Sequence, residues 1–458
     1  MKTALNLLIL LALAGCASFD SKDIRIPDYK IKNLKNGLQV ISIVDKTLPK
    51  VSVGLLIRTG SSSDPVGKSG LADLTAQMIE RGSQKLSATQ IADQFGYYGS
   101  SFISDIDYDY SYFATYGLSQ HQSELFNLFF DVVTTPAFSV GEVQRLKGEM
   151  IAEIKRSYDQ HGFMAGKVFN QFLFGAHPYG RNSSGTVRDV ASIKQKDMIR
   201  FYIKNYRPNN ATLILVGDIN EKFAKEFQQK LDSWEPRELE NINLPPLRPL
   251  DSQRILLVNR SDLQQSEIRL GHYGIKRKID DYQALMVAET ILSSGFTSRL
   301  MKEIRDKRGL TYGISSSFDA RKEIGPFTIA TNTRHEKVGE VITETVNILK
   351  NFHEKGVTPQ EVADAKGYLR GVFPRRIETS DQLAKMLVAL KFYDIDESYL
   401  KNYLSLLDDV SVSDVNRAIK KYYQPNLLRV LIYGPKDKVI DQLRPIGAVE
   451  VKNYTELF

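Results

Sequence analysis

Apolar and polar positions along this chain alternate between the period of a strand and the period of a helix. Apolar runs predict a strand pair over residues 38–44 and 51–58, and a further strand over 108–113. Residues 143–160 and 341–355 carry apolar side chains at helical spacing, which predicts long helices there. Because strands and long helices are interspersed, the pattern favours the α+β class, with antiparallel sheets that carry helices on one face.

The two halves of the chain repeat one layout. A turn, an apolar strand and a break over residues 206–218 precede a helical stretch, and residues 423–435 repeat this order. A duplication of this kind predicts two similar domains. We place them at residues 30–240 and 255–458, with a linker over 241–254, where several prolines interrupt any regular pattern.

Length and composition are those of a folded, multi-domain protein. The 458 residues are 42% hydrophobic and 25% charged, enough to form complete cores. The net charge of +7 is spread along the chain without a block of like charges, so we expect no nucleic-acid partner.

The N-terminus has the pattern of a secretion signal. Lys2 precedes an apolar run over residues 4–14, too short to cross a membrane as a mature helix. The run ends at Cys16, the only cysteine, in a context that resembles a bacterial lipobox. This predicts a signal peptide over 1–15, lipidation of Cys16 and a tether over 16–29. Because alanine rather than aspartate follows Cys16, we expect a lipid-anchored envelope protein at the outer membrane; the alternative is an ordinary secretory signal.

One helix carries a motif that is nearly a metal site. Residues 58–83 resemble the zinc-site helix of the pitrilysin/insulinase (inverzincin) family of metallopeptidases, which reads H-x-x-E-H. Here the two histidine positions are Asp73 and Gln77, and the general base is replaced by Ala76. The resemblance makes Glu153 the distal ligand position. With the other ligands replaced, it implies no zinc, no cofactor and no peptidase activity from this chain alone.

A different metal at these positions is an alternative. Asp73 and Gln77 lie one helical turn apart, and with Glu153 they offer oxygen ligands suited to a hard cation. The competing interpretation makes them solvent-facing polar residues on a degenerate helix, and we favour it. The six histidines are scattered without ligand spacing, so the sequence predicts no metal.

The second half retains another element of the family. Residues 293–312 resemble the segment in which an arginine and a tyrosine seven positions later face the zinc across the cavity, here Arg305 and Tyr312. Both groups donate hydrogen bonds to a peptide carbonyl and to the oxyanion formed on attack. Arg308 is a rival, but the spacing selects Arg305. The alternative is a helix-ending arginine and a core tyrosine.

The resemblance covers about residues 30–443 and implies two homologous domains that enclose a cavity between them. In heterodimeric members one subunit supplies H-x-x-E-H and the other the arginine and tyrosine. The resemblance therefore implies a zinc-less subunit that binds and orients peptide or unfolded protein for a zinc-bearing partner, and the N-terminal pattern adds the membrane anchor. The alternative is a non-catalytic peptide-binding or scaffolding lipoprotein.

Overall fold

The computed structural model describes residues 27–240 and 243–457. The predicted signal peptide over 1–15, Cys16 and most of the predicted tether lie outside the described residues, as do the first two positions of the predicted linker. No helix in the described ranges is long and apolar enough to cross a membrane.

The described residues form two six-stranded sheets. Their orders are β1-β2-β6-β3-β5-β4 and β12-β7-β11-β8-β10-β9. The strands are β1 (Tyr29–Asn33), β2 (Gln39–Val44), β3 (Lys50–Ile57), β4 (Ile103–Ile106), β5 (Ser111–Leu118), β6 (Ala211–Gly217), β7 (Arg254–Asn259), β8 (Ser266–Tyr273), β9 (Ile314–Phe318), β10 (Pro326–Thr333), β11 (Arg429–Gly434) and β12 (Val449–Asn453).

Helices connect the strands in both halves. They are α1 (Leu71–Met78), α2 (Ala88–Tyr97), α3 (Gln122–Thr134), α4 (Val140–Ser157), α5 (His161–Phe174), α6 (Val187–Ser192), α7 (Gln195–Asn205), α8 (Glu221–Asp232), α9 (Tyr282–Ser293), α10 (Val338–Lys355), α11 (Pro359–Val372), α12 (Ser380–Phe392), α13 (Ser398–Asp408), α14 (Val412–Tyr422) and α15 (Lys436–Leu443). A π-helical segment spans Met301–Lys307.

The predicted duplication is visible in the order of the strands. The five positions held by β2, β6, β3, β5 and β4 in the first sheet are held, in the same order, by β7, β11, β8, β10 and β9 in the second sheet. The sheets are mixed rather than wholly antiparallel. Strand β6 pairs parallel with β2, and β11 pairs parallel with β7. Both follow long helical crossovers, which return the chain in the parallel direction, whereas hairpins give antiparallel pairs.

Helices cover both faces of each sheet, where the sequence predicted only one. Helix α5 of the first half packs on β8 and β11 of the second sheet, and α12 of the second half packs on β6 and β2 of the first. Phe169 of α5 is buried with Leu256 and Val258 of the second sheet. The hydrophobic period predicts that a helix has a buried face. It does not predict which of the two sheets that face packs against.

The ends of α12 are held by the first half of the chain. At its start the Ser380 hydroxyl donates to Asp45. At its end the Arg58 guanidinium donates to the carbonyls of Lys391 at 3.1 Å and Phe392 at 3.3 Å. A cation is favoured there because the last carbonyls of a helix lack partners within the helix. These contacts fix the two halves relative to each other.

Clefts open where the halves meet, as the predicted fold requires. One of about 440 Å³ is lined by Lys167 from the first half and Arg269 from the second. Another of about 340 Å³ is lined by Tyr112 and Lys385. The predicted strand over 108–113 begins only at Ser111, because the preceding residues form a turn that contacts the second half.

Candidate functional site

The helix of the incomplete zinc motif starts at a fixed turn. Gly70 precedes α1 with a φ of 91°, a left-handed conformation that favours glycine. A side chain at this position would meet the Ser184 carbonyl oxygen at 2.9 Å. The Asp64 carboxylate accepts hydrogen bonds from the amides of Gly70 and Ala72, each at 2.8 Å. Asp64 therefore caps the helix from outside it, and burial raises the pKa of this carboxyl to about 8.

The motif positions on α1 interact with one another. The Gln77 side-chain amide donates to Asp73 Oδ1 at 2.7 Å, and Ala76 is fully buried. Burial raises the pKa of Asp73, while hydrogen bonds from Gln77 and Ser184 favour its charged form. The favoured interpretation of Asp73 and Gln77 as solvent-facing is therefore incorrect, because both side chains are partly buried.

The structure does not bring Glu153 into this pair. Its side chain on α4 is 61% exposed and forms an ion pair with Arg156 one turn along the same helix. Nowhere in residues 27–240 and 243–457 do three or more histidine, cysteine, aspartate or glutamate side chains cluster as metal ligands. The alternative of a hard-cation site built from Asp73, Gln77 and Glu153 thus lacks its third ligand.

A lysine that no sequence motif predicts also faces these positions. Lys167 of α5 interacts electrostatically with Asp73 and Glu153, and burial lowers its pKa to about 8. Its Nζ lies 4.1 Å from the centroid of the Phe163 ring. An ammonium group therefore supplies positive charge beside the motif. No sequence signal marks Lys167, because its place depends on the helix that crosses to the second sheet.

The predicted arginine and tyrosine form one cluster with a third residue. The Arg305 guanidinium lies 5.0 Å from the ring centroid of Phe296 and 5.2 Å from that of Tyr312. The two aromatic side chains are 70% and 88% exposed. We call these three residues the arginine–aromatic cluster. Tyr312 is thus not a core residue, and the alternative that made it one is incorrect.

The backbone around this cluster is unusual. Arg305 lies in the π-helical segment, a form that occurs often at functional sites. The rival Arg308 instead forms an ion pair with Glu344 at 2.8 Å, which leaves Arg305 as the arginine beside Tyr312. No hydrogen bond, ion pair or ring contact among the described residues joins this cluster to Asp73 or Gln77.

Comparisons with known families match most of the chain. Residues 39–184 match the family model described as insulinase (peptidase family M16), and residues 192–369 match that of the peptidase M16 inactive domain. This chain belongs to the M16 peptidase family. The match to the inactive-domain model over residues 192–369 is consistent with a non-catalytic, peptidase-like protein.

Relatives match across nearly the whole length of the chain. M16 relatives named as uncharacterized zinc proteases occur in Rickettsia bellii and Mycobacterium tuberculosis. The first is 22% identical and covers 90% of this chain and 98% of its own length. The second is 24% identical, with coverage of 90% and 95%.

Solved structures show the same M16 architecture. The crystal structure of a peptidase M16 inactive domain from Pseudomonas fluorescens superposes with a TM-score of 0.83 at 26% identity, covering 89% of this chain and 98% of that one. The crystal structure of a protease from Helicobacter pylori gives a TM-score of 0.81 at 22% identity, with coverage of 90% and 100%.

The burial of Asp73 makes a prediction about pH. A carboxyl whose pKa is raised on folding binds its proton more tightly in the native state, so the free energy of unfolding falls as pH rises above the unfolded value of 3.8. We expect Asp73→Asn, which keeps the acceptor for Gln77, to raise that free energy at pH 7 and to flatten its pH dependence. Urea denaturation at pH 5 and pH 8 measures this. A variant that loses stability at pH 8 would show that the Asp73 charge is well compensated by Lys167.

Proposed function

We propose that this M16 protein is the zinc-less subunit of a two-chain metallopeptidase. It binds a peptide and orients it for a homologous partner that carries H-x-x-E-H. The observation that carries the proposal is the exposed arginine–aromatic cluster of Arg305, Phe296 and Tyr312 in a chain whose own zinc positions hold no ligand set.

The chemistry of the cluster suits this role. A guanidinium and a phenol are both hydrogen-bond donors, and their combined geometry serves a peptide carbonyl and the oxyanion that forms on attack. The rings of Phe296 and Tyr312 both lie near the Arg305 guanidinium and interact with it without neutralising its charge. Tyr312 donates no hydrogen bond within the described residues, so its hydroxyl is available to a substrate.

Reconstitution with a partner tests the proposal. The partner is a chain of similar length, encoded nearby, that carries an intact H-x-x-E-H. We expect neither chain alone to cleave an unfolded peptide and the mixture to cleave it, with zinc recovered in the partner only. About one zinc per molecule of this chain, retained after mild chelation, would contradict the proposal. So would full activity of the partner alone.

We also propose that lipid on Cys16 anchors the protein to the outer membrane of the envelope. The proposal rests on the apolar run before Cys16 and on its place as the sole cysteine. In the native host, we expect the wild-type protein to partition into detergent and fractionate with outer membranes. Cys16→Ser should remain unprocessed or become soluble, and Ser18→Ala serves as the control. A soluble cytoplasmic wild-type protein would refute the anchor.

A further inference from the structure

A cleft with aromatic walls lies among α9, α12 and α13 of the second half. Its volume is about 450 Å³, and four of its lining side chains are Tyr282, Phe373, Tyr399 and Tyr403. Phe373 and Tyr403 stack with ring centroids 3.7 Å apart and planes 6° from parallel. A concave site of this size with mainly apolar walls is typical of ligand binding. We call it the aromatic cleft.

Three cations line the aromatic cleft without a carboxylate partner. They are Arg277, Arg376 and Lys385, and none forms an ion pair with an acidic residue in the described part of the chain. The Arg277 guanidinium lies 3.7 Å from the Tyr282 ring centroid, which orients it and leaves its charge in place. No aspartate or glutamate lines the cleft. The cleft therefore combines an apolar wall with uncompensated positive charge.

Two carboxylates at or near the starts of α12 and α13 are engaged elsewhere. Asp381, one turn before Lys385 on α12, accepts from Lys50 of the first half at 3.1 Å. Glu397, at the start of α13, pairs with Lys391. Glu378 and Asp280, which are close in sequence to Arg376 and Arg277, do not line the cleft either. With no carboxylate in the wall of the aromatic cleft, an anionic ligand is favoured there.

The aromatic cleft adjoins the 340 Å³ cleft between the halves at α12. Lys385 and Ala389 of α12 line both. Asp105 and Tyr112 line the second cleft, and neither side chain forms a hydrogen bond to the described residues. A ligand that occupied both clefts would pass α12 and meet polar groups that suit main-chain amides. A peptide has these properties, whereas the tail of a fatty acid offers no amides to them.

We propose that the aromatic cleft holds the apolar C-terminal residue of a peptide. Its side chain packs on the aromatic rings, and its carboxylate lies among Arg277, Arg376 and Lys385. The inference rests on the proposed function insofar as the chain binds peptides, and it adds which end of the peptide is recognised and by which groups.

Binding of a short fluorescent peptide that ends in phenylalanine tests this, with anisotropy as the readout and the mature chain alone in solution. We expect the same peptide with an amidated C-terminus to bind roughly tenfold more weakly, because the ion pairs are lost. The double variant Arg376→Gln, Lys385→Gln should weaken binding of the peptide with a free C-terminal carboxylate by a similar factor. Its affinity for the amidated peptide should be nearly unchanged. Both side chains are exposed, so folding should be preserved, and thermal melting verifies it.

Arg375→Gln is the matched control, since Arg375 is exposed, adjacent to Arg376 and absent from the cleft lining. Equal binding of acid and amide peptides would overturn the inference, as would an equal loss in the control variant. Displacement of the peptide by dodecanoate, with no gain in affinity from peptide residues before the phenylalanine, would assign the cleft to a free fatty acid instead. Because no partner is present, failure here leaves the proposed catalytic pairing untouched, and failure of the pairing leaves peptide binding measurable.

Discussion

Tyr312→Phe in the reconstituted pair is expected to lower turnover by about a hundredfold to a thousandfold, or ~2.7–4 kcal/mol of transition-state stabilisation. The substitution removes one hydroxyl donor and keeps the ring that packs on Arg305. Tyr312 is 88% exposed, so its hydroxyl contributes little to folding. Steady-state kinetics and the melting temperature, measured together, separate a lost donor from lost stability.

Arg305→Ala should lower turnover as well and also weaken substrate binding, because a planar group with several donors is removed. Tyr97→Phe is the control, since Tyr97 is similarly exposed at 83% and lies on α2, away from the cluster. A scaffolding role predicts a nearly silent Tyr312→Phe and an Arg305→Ala that affects only stability. Unchanged turnover in both variants would end the catalytic-partner proposal.

Phe169→Ala is expected to lower the free energy of unfolding by about 3–5 kcal/mol, the usual cost of emptying a buried phenylalanine site. Phe169 is 1% exposed, and its ring lies against Gly271 of β8 although its helix belongs to the first half. The cavity therefore weakens the contact between halves rather than one core alone. Denaturant unfolding, followed by circular dichroism, gives the change.

Phe163→Ala on the same helix is the matched control, because Phe163 is 49% exposed. It should cost less than about 1 kcal/mol. If the halves depend on each other, Phe169→Ala shifts the unfolding of the whole molecule. Two separate unfolding transitions, of which the substitution shifts only one to lower denaturant concentration, would show that the halves unfold independently.

The helices and strands of this fold could be predicted from the sequence. The sheet on which each helix packs could not be predicted. Helix α10 contains the predicted residues 341–355, and the predicted strands over 38–44 and 51–58 coincide with β2 and β3 to within one residue. Periodicity fixes such elements because it reports which side chains are buried. The exchange of α5 and α12 between sheets leaves no trace in periodicity, since either sheet would bury the same apolar face.

For the candidate site, too, some features could be predicted from the sequence and others depend on the folded chain. The seven-residue spacing predicts Arg305 rather than Arg308 as the partner of Tyr312, and the structure places Arg305 beside Tyr312. The structure places the Glu153 side chain in an exposed ion pair with Arg156 rather than beside Asp73, a position that residue type does not determine. The cations of the aromatic cleft come from separate segments of the second half and meet only in the folded chain.

The exchanged helices have a consequence for how the chain can be divided. The residues between α8 and β7 include neither helix nor strand in the described part, so a break there would sever no hydrogen-bonded element. Each fragment would nevertheless carry a helix whose apolar face has its sheet on the other fragment, and a sheet whose second layer is missing. The two fragments are therefore suited to reassemble by complementation, and neither half is an independent module that could be transplanted or lost without the other.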